Sequence, residues 1–443
     1  MSTPRKVASH SVRVNSTPMV NKLYQFYEFV KRLFPWRVKA LAKGVFLEVF
    51  FYSRATVFEH QDPPSAAAGS KNYRGKVRLL FVAPHLVFGG AERILFDVVK
   101  NLSKIGLQPV LGCALKKGEW TEKFESVADV YDLSRSGGLW SQKDAIVDLV
   151  SDLGTTIVQF SNCEILYFAL PYLKARTQAA TVNWVHIDPD YFALLHGFGY
   201  RKFSSSIDRT IVATELMKNF LVEKQYAEPK KISVVPNGVD LSLFDPSLFS
   251  QKKAGIKNKY GIPPENQTVV FISRLIREKD PVSFLKIAKK VSIAYPRTTF
   301  VVAGDGYLRS AMVKRVKKMN LAANIKFLGF KEEIPEILSI ASIFVSTSLT
   351  EGFGLSAAEA MAMGVPVVIS DVGGHKELIS AESGFCVRAR DLNGFTDKIG
   401  YLLSHESSRK DMGVKARRRV ESEFSLTKTV NEMVSVYEEL ASQ

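Results

Sequence analysis

Glu351 and Glu359 stand eight residues apart around a Gly-Phe-Gly loop, in residues 346–375, STSLTEGFGLSAAEAMAMGVPVVISDVGGH. The apolar run ending at Val345 reads as a buried strand. Residues 355–363 have helix-forming composition, and Gly364 and Pro366 stop the helix. A helix therefore starts beside the loop, where free N–H groups at Leu355 and Ser356 and the positive end of the helix dipole form a seat for phosphate. Gly352 and Gly354, on either side of Phe353, let backbone approach a ligand closely. At ~1.5 Å of rise per residue, Glu359 lies roughly 6 Å further along the helix, so the two carboxylates can bracket a diphosphate. One then suits the hydroxyls of a sugar and the other those of a ribose, which is the recognition chemistry of a sugar nucleotide.

Cations for such a diphosphate are found in SRLIREK, residues 273–279. Arg274 at a strand end and Lys279 in the following loop can converge on one pyrophosphate, Arg as a bidentate donor and Lys as a point charge. Arg277 competes for the role. Gly89-Gly90 opens the first helix after the first strand. It lacks the G-x-G-x-x-G spacing of a dinucleotide fingerprint, and by itself such a pair at a helix start is a tight turn whose backbone can approach a phosphate. His186 ends the apolar strand AATVNWVHI. Asp188-Pro189-Asp190 formally spells a metal-binding D-x-D, but the intervening proline argues for coincidence, so no required metal and no cofactor is expected. Asp305 follows a strand in Ala-Gly-Asp-Gly and serves equally well as a turn aspartate. His375 and Glu377 read as structural. No GxxxxGK[ST], HExxH or nucleophile elbow is present, which removes the basic parts of NTPase, metalloprotease and α/β-hydrolase chemistry.

These residues need elements to carry them. From residue 76 the pattern is strand, glycine turn, helix and strand again, with further apolar runs at 155–160, 179–187 and 209–213, ending near the Asn-Gly turn of VVPNGVD. A second alternation begins at Thr268 and runs through TTFVVAGDG, NIKFLGF and SIFVSTS. The fold class is α/β, two tandem Rossmann-like domains with a cleft between them, and ligands of such sheets bind at the carboxyl ends of the strands. Residues 402–440 read as helical.

Residues 1–70 differ in kind. They hold ten Lys or Arg against four Asp or Glu, with apolar residues at helical spacing in residues 23–34 and 38–49, then the linker PPSAAAGS. Two basic amphipathic helices result, and residues 20–52 either lie on an anionic membrane surface or pack on the first domain. The whole chain of 443 residues carries a net charge of +16, which calls for anionic partners, and no nucleic-acid module is recognisable. Cys113, Cys163 and Cys386 are odd in number and widely spaced, which argues against a disulfide framework. Neither a secretory signal nor an 18-residue apolar run is present, so a cytoplasmic location, peripheral on the inner membrane face, is expected.

The run EGFGLSAAEAMAMGVPVV resembles the donor-binding signature of glycosyltransferase family 4, retaining enzymes of GT-B architecture; the resemblance covers about residues 76–440. It implies an acceptor domain at 71–250, a donor domain at 251–425 and a final helix at 426–443 crossing back to the first domain. It further implies that His186 contacts the sugar near the reacting carbon, that Arg274 and Lys279 hold the diphosphate, that backbone at Phe330 recognises the base, and that Gly90, rather than Gly89, contacts the donor phosphate or the acceptor. Glu351 would hold sugar hydroxyls and Glu359 the ribose. Ser273 and Asp280 stand where the family has glycines, which bears on loop geometry. The expected activity is metal-independent transfer from a nucleotide sugar to a hydroxyl acceptor such as a lipid-linked glycan, in polysaccharide or glycolipid assembly. An epimerase or hydrolase of the same fold, or a non-catalytic nucleotide-sugar sensor, are the competing classes.

Overall fold

The structure, a computed structural model, describes residues 77–87, 89–136 and 139–443. The expected helices of residues 20–52 lie outside the described residues. Among the described residues, one compact unit takes in those of 77–190 and 199–443. Residues 191–198 group apart from it, and within them the rings of Phe192 and His196 are 6.1 Å apart.

The compact unit contains two all-parallel sheets. The first has seven strands: β1 (Leu79–His85), β2 (Val110–Lys116), β3 (Asp129–Asp132), β4 (Ile157–Ser161), β5 (Ala180–Val185), β6 (Arg209–Val212) and β7 (Ile232–Val234). Their spatial order is β3-β2-β1-β4-β5-β6-β7. The second has six: β8 (Gln267–Ile272), β9 (Thr298–Ala303), β10 (Ile325–Gly329), β11 (Ile343–Ser346), β12 (Val367–Ser370) and β13 (Gly384–Val387), ordered β10-β9-β8-β11-β12-β13. β4 and β9 are buried along their whole length, Gln159 and Ser161 of β4 included, because helices cover both faces of a parallel sheet. The two-domain α/β architecture expected of the sequence is thus observed.

Each sheet reverses its strand order once, between β1 and β4 in the first and between β8 and β11 in the second. The loops after such neighbouring strands leave in opposite directions and open a crevice for ligands. The helix Gly90–Lys104 follows β1, residues 273–280 follow β8, and residues 347–354 follow β11. This topology brings residues some 70 positions apart in sequence to one point.

The helical stretch read at 402–440 consists of the end of Leu392–Ser404, then Glu406–Glu423 and Leu426–Ala441. Tertiary pairing causes the last break: Val239 N–H donates to Phe424 O at 2.8 Å, and Leu426 N–H donates to Val239 O at 2.9 Å. The Ser425 hydroxyl caps the new helix at Lys428 N–H. Leu426, Val430, Met433 and Tyr437 then bury against the first domain, and the Tyr437 hydroxyl donates to Gln159 Oε1 at 2.7 Å. Among the described residues no helix is long and apolar enough to cross a membrane.

Candidate functional site

The loop after β11 is seated by a buried chain of polar groups. The Ser348 hydroxyl donates to Glu351 Oε1 at 2.8 Å, and Ser370 Oγ donates to Ser348 O at 2.6 Å. Ser370 O in turn accepts from His375 Nδ1 at 2.9 Å. Lys279, from the loop after β8, makes an ion pair with the same Oε1 of Glu351, and both side chains are largely buried. Burial alone would raise the Glu351 carboxyl, but the Lys279 ammonium, the His375 ring and the hydrogen bonds from Lys279 and Ser348 hold it below the usual carboxylate range. Lys279 is itself fixed by backbone: Thr347 Oγ1 donates to the carbonyls of Lys279 at 3.2 Å and Asp280 at 2.9 Å. Asp280, in the left-handed region at φ 40°, caps the helix Pro281–Ala294 by accepting from Ser283 N–H. An aspartate thus performs, at a position where glycine was expected, the turn a glycine would make, and adds a cap.

Gly354 has φ 100° and directly precedes the helix Leu355–Ala362. No side chain caps that helix, so the first N–H groups, at Leu355 and Ser356, retain the anion-seating character expected of a helix start. Phe353 does not face this seat with its side chain. The ring is buried in the second-domain core, edge-on to Phe424 at 5.5 Å, so only Phe353 backbone is offered to a ligand. Leu355 is likewise partly packed against that core.

Across the cleft, His186 follows β5. Its backbone carbonyl lies so close to Gly352 that a Cβ there would meet it at 2.2 Å. This close approach joins the two domains at the site. By area the residue is half-buried, yet both ring nitrogens are sealed from solvent and without a hydrogen-bond partner. Burial lowers its pKa to about 3, so the ring is neutral at physiological pH and serves as a hydrogen-bonding group rather than a cation. Two unsatisfied buried nitrogens beside the donor loop mark a place where a ligand hydroxyl would be stabilising.

Glu359 is buried in the helix after Gly354, and burial raises its carboxyl to about 7 against the opposing field of Arg93, with Asp97 adding to the rise. Arg93 and Asp97 belong to the helix Gly90–Lys104 of the first domain and pair at 2.9 Å. Arg274 is exposed at the end of β8 and faces Glu92 of the same first-domain helix electrostatically. Gly90 is open, and a Cβ added there would meet nothing within 4 Å. Phe330 is 42% exposed after β10. Asp188 Oδ1 accepts from Asp190 N–H at 3.1 Å, a local turn contact. Asp305 accepts from Gly306 N–H at 2.7 Å, also a turn.

The structure therefore brings Lys279, Glu351 and Gly352 together with His186, while Phe330 follows β10 and Gly90 opens the first-domain helix. Sequence reading missed Ser348, Glu92, Arg93 and Asp97. The GGAER run, residues 89–93, held the signal for Glu92 and Arg93 in plain view, since a Glu and Arg in the first turn of a cleft-facing helix are placed where ligands approach.

Two parallel α/β sheets with opposed carboxyl ends define a GT-B protein. The family model for glycosyl transferases group 1 matches residues 252–419, and that for glycosyltransferase family 4 matches residues 88–243. The chain belongs to glycosyltransferase family 4. Among curated relatives, it is 30% identical over 225 residues to UDP-Gal:alpha-D-GlcNAc-diphosphoundecaprenol alpha-1,3-galactosyltransferase of Escherichia coli, covering 50% of this chain and 57% of that protein. It is 28% identical over 238 residues to N-acetyl-alpha-D-glucosaminyl L-malate synthase of Bacillus anthracis, covering 52% and 60%. The matches thus span little more than half the length of these relatives. Among solved structures, a glycosyltransferase from Rickettsia africae aligns with TM-score 0.71 at 20% identity, over 83% of this chain and 99% of that one. Anabaena HepE in complex with UDP and glucose aligns with TM-score 0.69 at 19% identity, over 83% and 100%.

Proposed function

We propose that this protein transfers a sugar from a nucleoside-diphosphate sugar to a hydroxyl acceptor, with retention at the anomeric carbon and without a metal ion. The observation that carries this reading is the Lys279–Glu351–Ser348 cluster at a cleft whose other wall bears His186, with both ring nitrogens lacking a hydrogen-bond partner. A cation and a carboxylate on one loop pair match a diphosphate joined to a polyhydroxylated ring. The chemical obstacle is departure of an anionic diphosphate from the anomeric carbon. Lys279, Arg274 and the helix start after Gly354 supply the positive field that favours it. Glu351 and His186 hold sugar hydroxyls, and Glu359 the ribose.

In the step itself, the bond from the anomeric carbon to the diphosphate oxygen breaks, and one to the acceptor oxygen forms on the same face. The acceptor proton passes to the departing phosphate oxygen, so no separate base is needed. Closure of the domains excludes water, the competing acceptor. A lipid-linked glycan as acceptor, in assembly of a surface polysaccharide or glycolipid, draws support from the name of the Escherichia coli relative, which gives such an acceptor. HepE, with UDP and glucose bound, supports a hexose nucleotide as donor class. The net charge of +16 and the basic first 70 residues suit an anionic membrane surface on the cytoplasmic side.

The test is incubation of the full chain with a panel of radiolabelled nucleotide sugars, membrane extract and excess chelator. Label moved to an extracted acceptor, undiminished by chelator, supports the proposal. An epimerised sugar, binding without turnover, or loss of transfer with chelator each refute a stated part of it.

A further inference from the structure

Glu377 stands outside the donor loop, yet its carboxylate reaches the other domain. Its helix, His375–Leu378, follows the Gly373-Gly374 turn of the second domain. Glu377 Oε2 accepts from Glu215 N–H and Oε1 from Leu216 N–H, both at 2.8 Å. These are the first amides of the helix Glu215–Glu223, which follows β6 of the first domain, and Thr214 takes the next at Met217 N–H. A carboxylate on two orphan amides at the positive end of a helix makes charge-assisted bonds with no solvent partner of equal geometry.

The other side of Glu377 is tied to the donor loop. Gly374 N–H donates to Glu351 O at 3.1 Å, and a Cβ at Gly374 would meet Gly352 O at 2.5 Å, so the two turns move as one. Arg419 donates to the carbonyls of Glu377 at 2.9 Å and Leu378 at 2.8 Å. The Arg419 guanidinium lies 5.5 Å from the Phe424 ring, which packs on Phe353 of the donor loop. Phe424 also bonds through its carbonyl to Val239, in the segment linking the domains. One set of contacts therefore joins the first domain, the interdomain crossing and the loop that carries Glu351.

The geometry points to Glu377 as a positioning residue: its carboxylate latches the donor loop onto the helix Glu215–Glu223, so that Glu351 and His186 face one another only while the latch is closed. The inference rests on the transferase reading for its catalytic consequence, but not for its conformational one. Glu377 touches no reacting atom, so its loss acts on assembly of the site rather than on donor contacts made within the second domain.

The experiment compares wild type with Glu377→Gln, which keeps shape and loses charge, and with Glu377→Ala. Small-angle scattering of the unliganded full chain should show a larger radius of gyration in Glu377→Ala. Transfer kcat should fall about tenfold, a typical coupling between sites, while donor Kd changes less than about threefold. The ratio of donor hydrolysis to transfer should rise, because an unlatched cleft admits water, and Glu377→Gln should fall between the two. Unchanged scattering and partition ratio in Glu377→Ala overturn the latch. So does a parallel loss of Tm, donor affinity and kcat, which marks a merely structural residue. If wild type turns over no nucleotide sugar, the transferase reading fails, and scattering still decides the latch.

Discussion

Two helices begin at the cleft, one from each domain, and their first turns are built in opposite ways. In the second domain, left-handed Gly354 leads into Leu355–Ala362 with no side chain over the amides. In the first, Gly89 is extended, and the Glu92 carboxylate folds back to accept from its own N–H, close enough that a Cβ on Gly89 would lie 2.2 Å from Oε2. One start is open to an anion. The other already has one. The difference teaches that a glycine-rich helix start is not in itself a phosphate site, since a carboxylate in the first turn converts it from a receptor into a capped end. On this contrast we propose that the donor diphosphate is held chiefly by the second domain, with Glu92 keeping phosphate off the first.

The contrast can be broken most severely at Lys279. Lys279→Ala removes a cation from the diphosphate and leaves Glu351 buried without its main partner, so transition-state stabilisation should fall by about 2–4 kcal/mol. Wild-type kcat/KM in this variant would falsify the phosphate assignment. Gly352→Ala comes next: its Cβ must displace the His186 carbonyl, and about 1–3 kcal/mol of overpacking should appear as lost transfer with the separate domains still folded. Retained activity, read alongside an unchanged circular dichroism spectrum, would show that the domains do not meet there during turnover.

Acidity sharpens the comparison further. The Glu359 carboxyl, raised by burial to about 7, is protonated below that pH, and its ribose-accepting form is lost. Donor KM should therefore climb as pH falls through about 7; a KM flat from pH 6 to 8 removes Glu359 from the donor site. The same shift acts on stability in the opposite sense to Glu351. For Glu359, whose folded pKa lies above its unfolded value near 4.5, the folded state loses stability as pH rises from 4.5 through 7. For Glu351, whose folded pKa is depressed, the contribution is present above 4.5 and is lost as pH falls through the folded value. Denaturant titrations of Glu359→Gln and Glu351→Gln across pH 3–8 separate the two, and slopes of equal sign, below 4.5 for Glu351 and above it for Glu359, would contradict the burial picture.

The smallest effects belong to the first-domain helix start. Gly90→Ala meets nothing within 4 Å and should change unfolding free energy by no more than about 0.5 kcal/mol, so any large loss of transfer reports a ligand at that backbone. Glu92→Gln weakens its own cap slightly and removes a charge facing Arg274. Donor KM should fall, by about twofold, and a rise in KM instead would place Glu92 in contact with substrate.

Much of this arrangement is legible along the chain. Buried strands such as β1, which begins Leu-Leu-Phe-Val-Ala, announce themselves as apolar runs, and the loop 351–354 carries its chemistry in consecutive residues. Short edge strands do not: β3 reads Asp-Val-Tyr-Asp and alternates exposed and half-buried positions, so it has too little apolar content to stand out. Phe353 shows the limit at the site. Local sequence marks the backbone around it as close to a ligand but does not tell where its ring goes, and the turn aims the ring into the core against Phe424.

The amino-acid sequence by itself determined the two α/β repeats, the open helix start after Gly354 and the carboxylates and cations able to grip a sugar diphosphate, because periodicity, turn residues and local spacing act over a few residues. Only the tertiary structure decided that Lys279 pairs with Glu351, that Glu92 closes its own helix and that Glu377 reaches the amides of Glu215 and Leu216. Those contacts depend on which strands become neighbours in each sheet and on where the last helix returns. Both are settled by burial summed over the whole chain, which no single stretch of residues records.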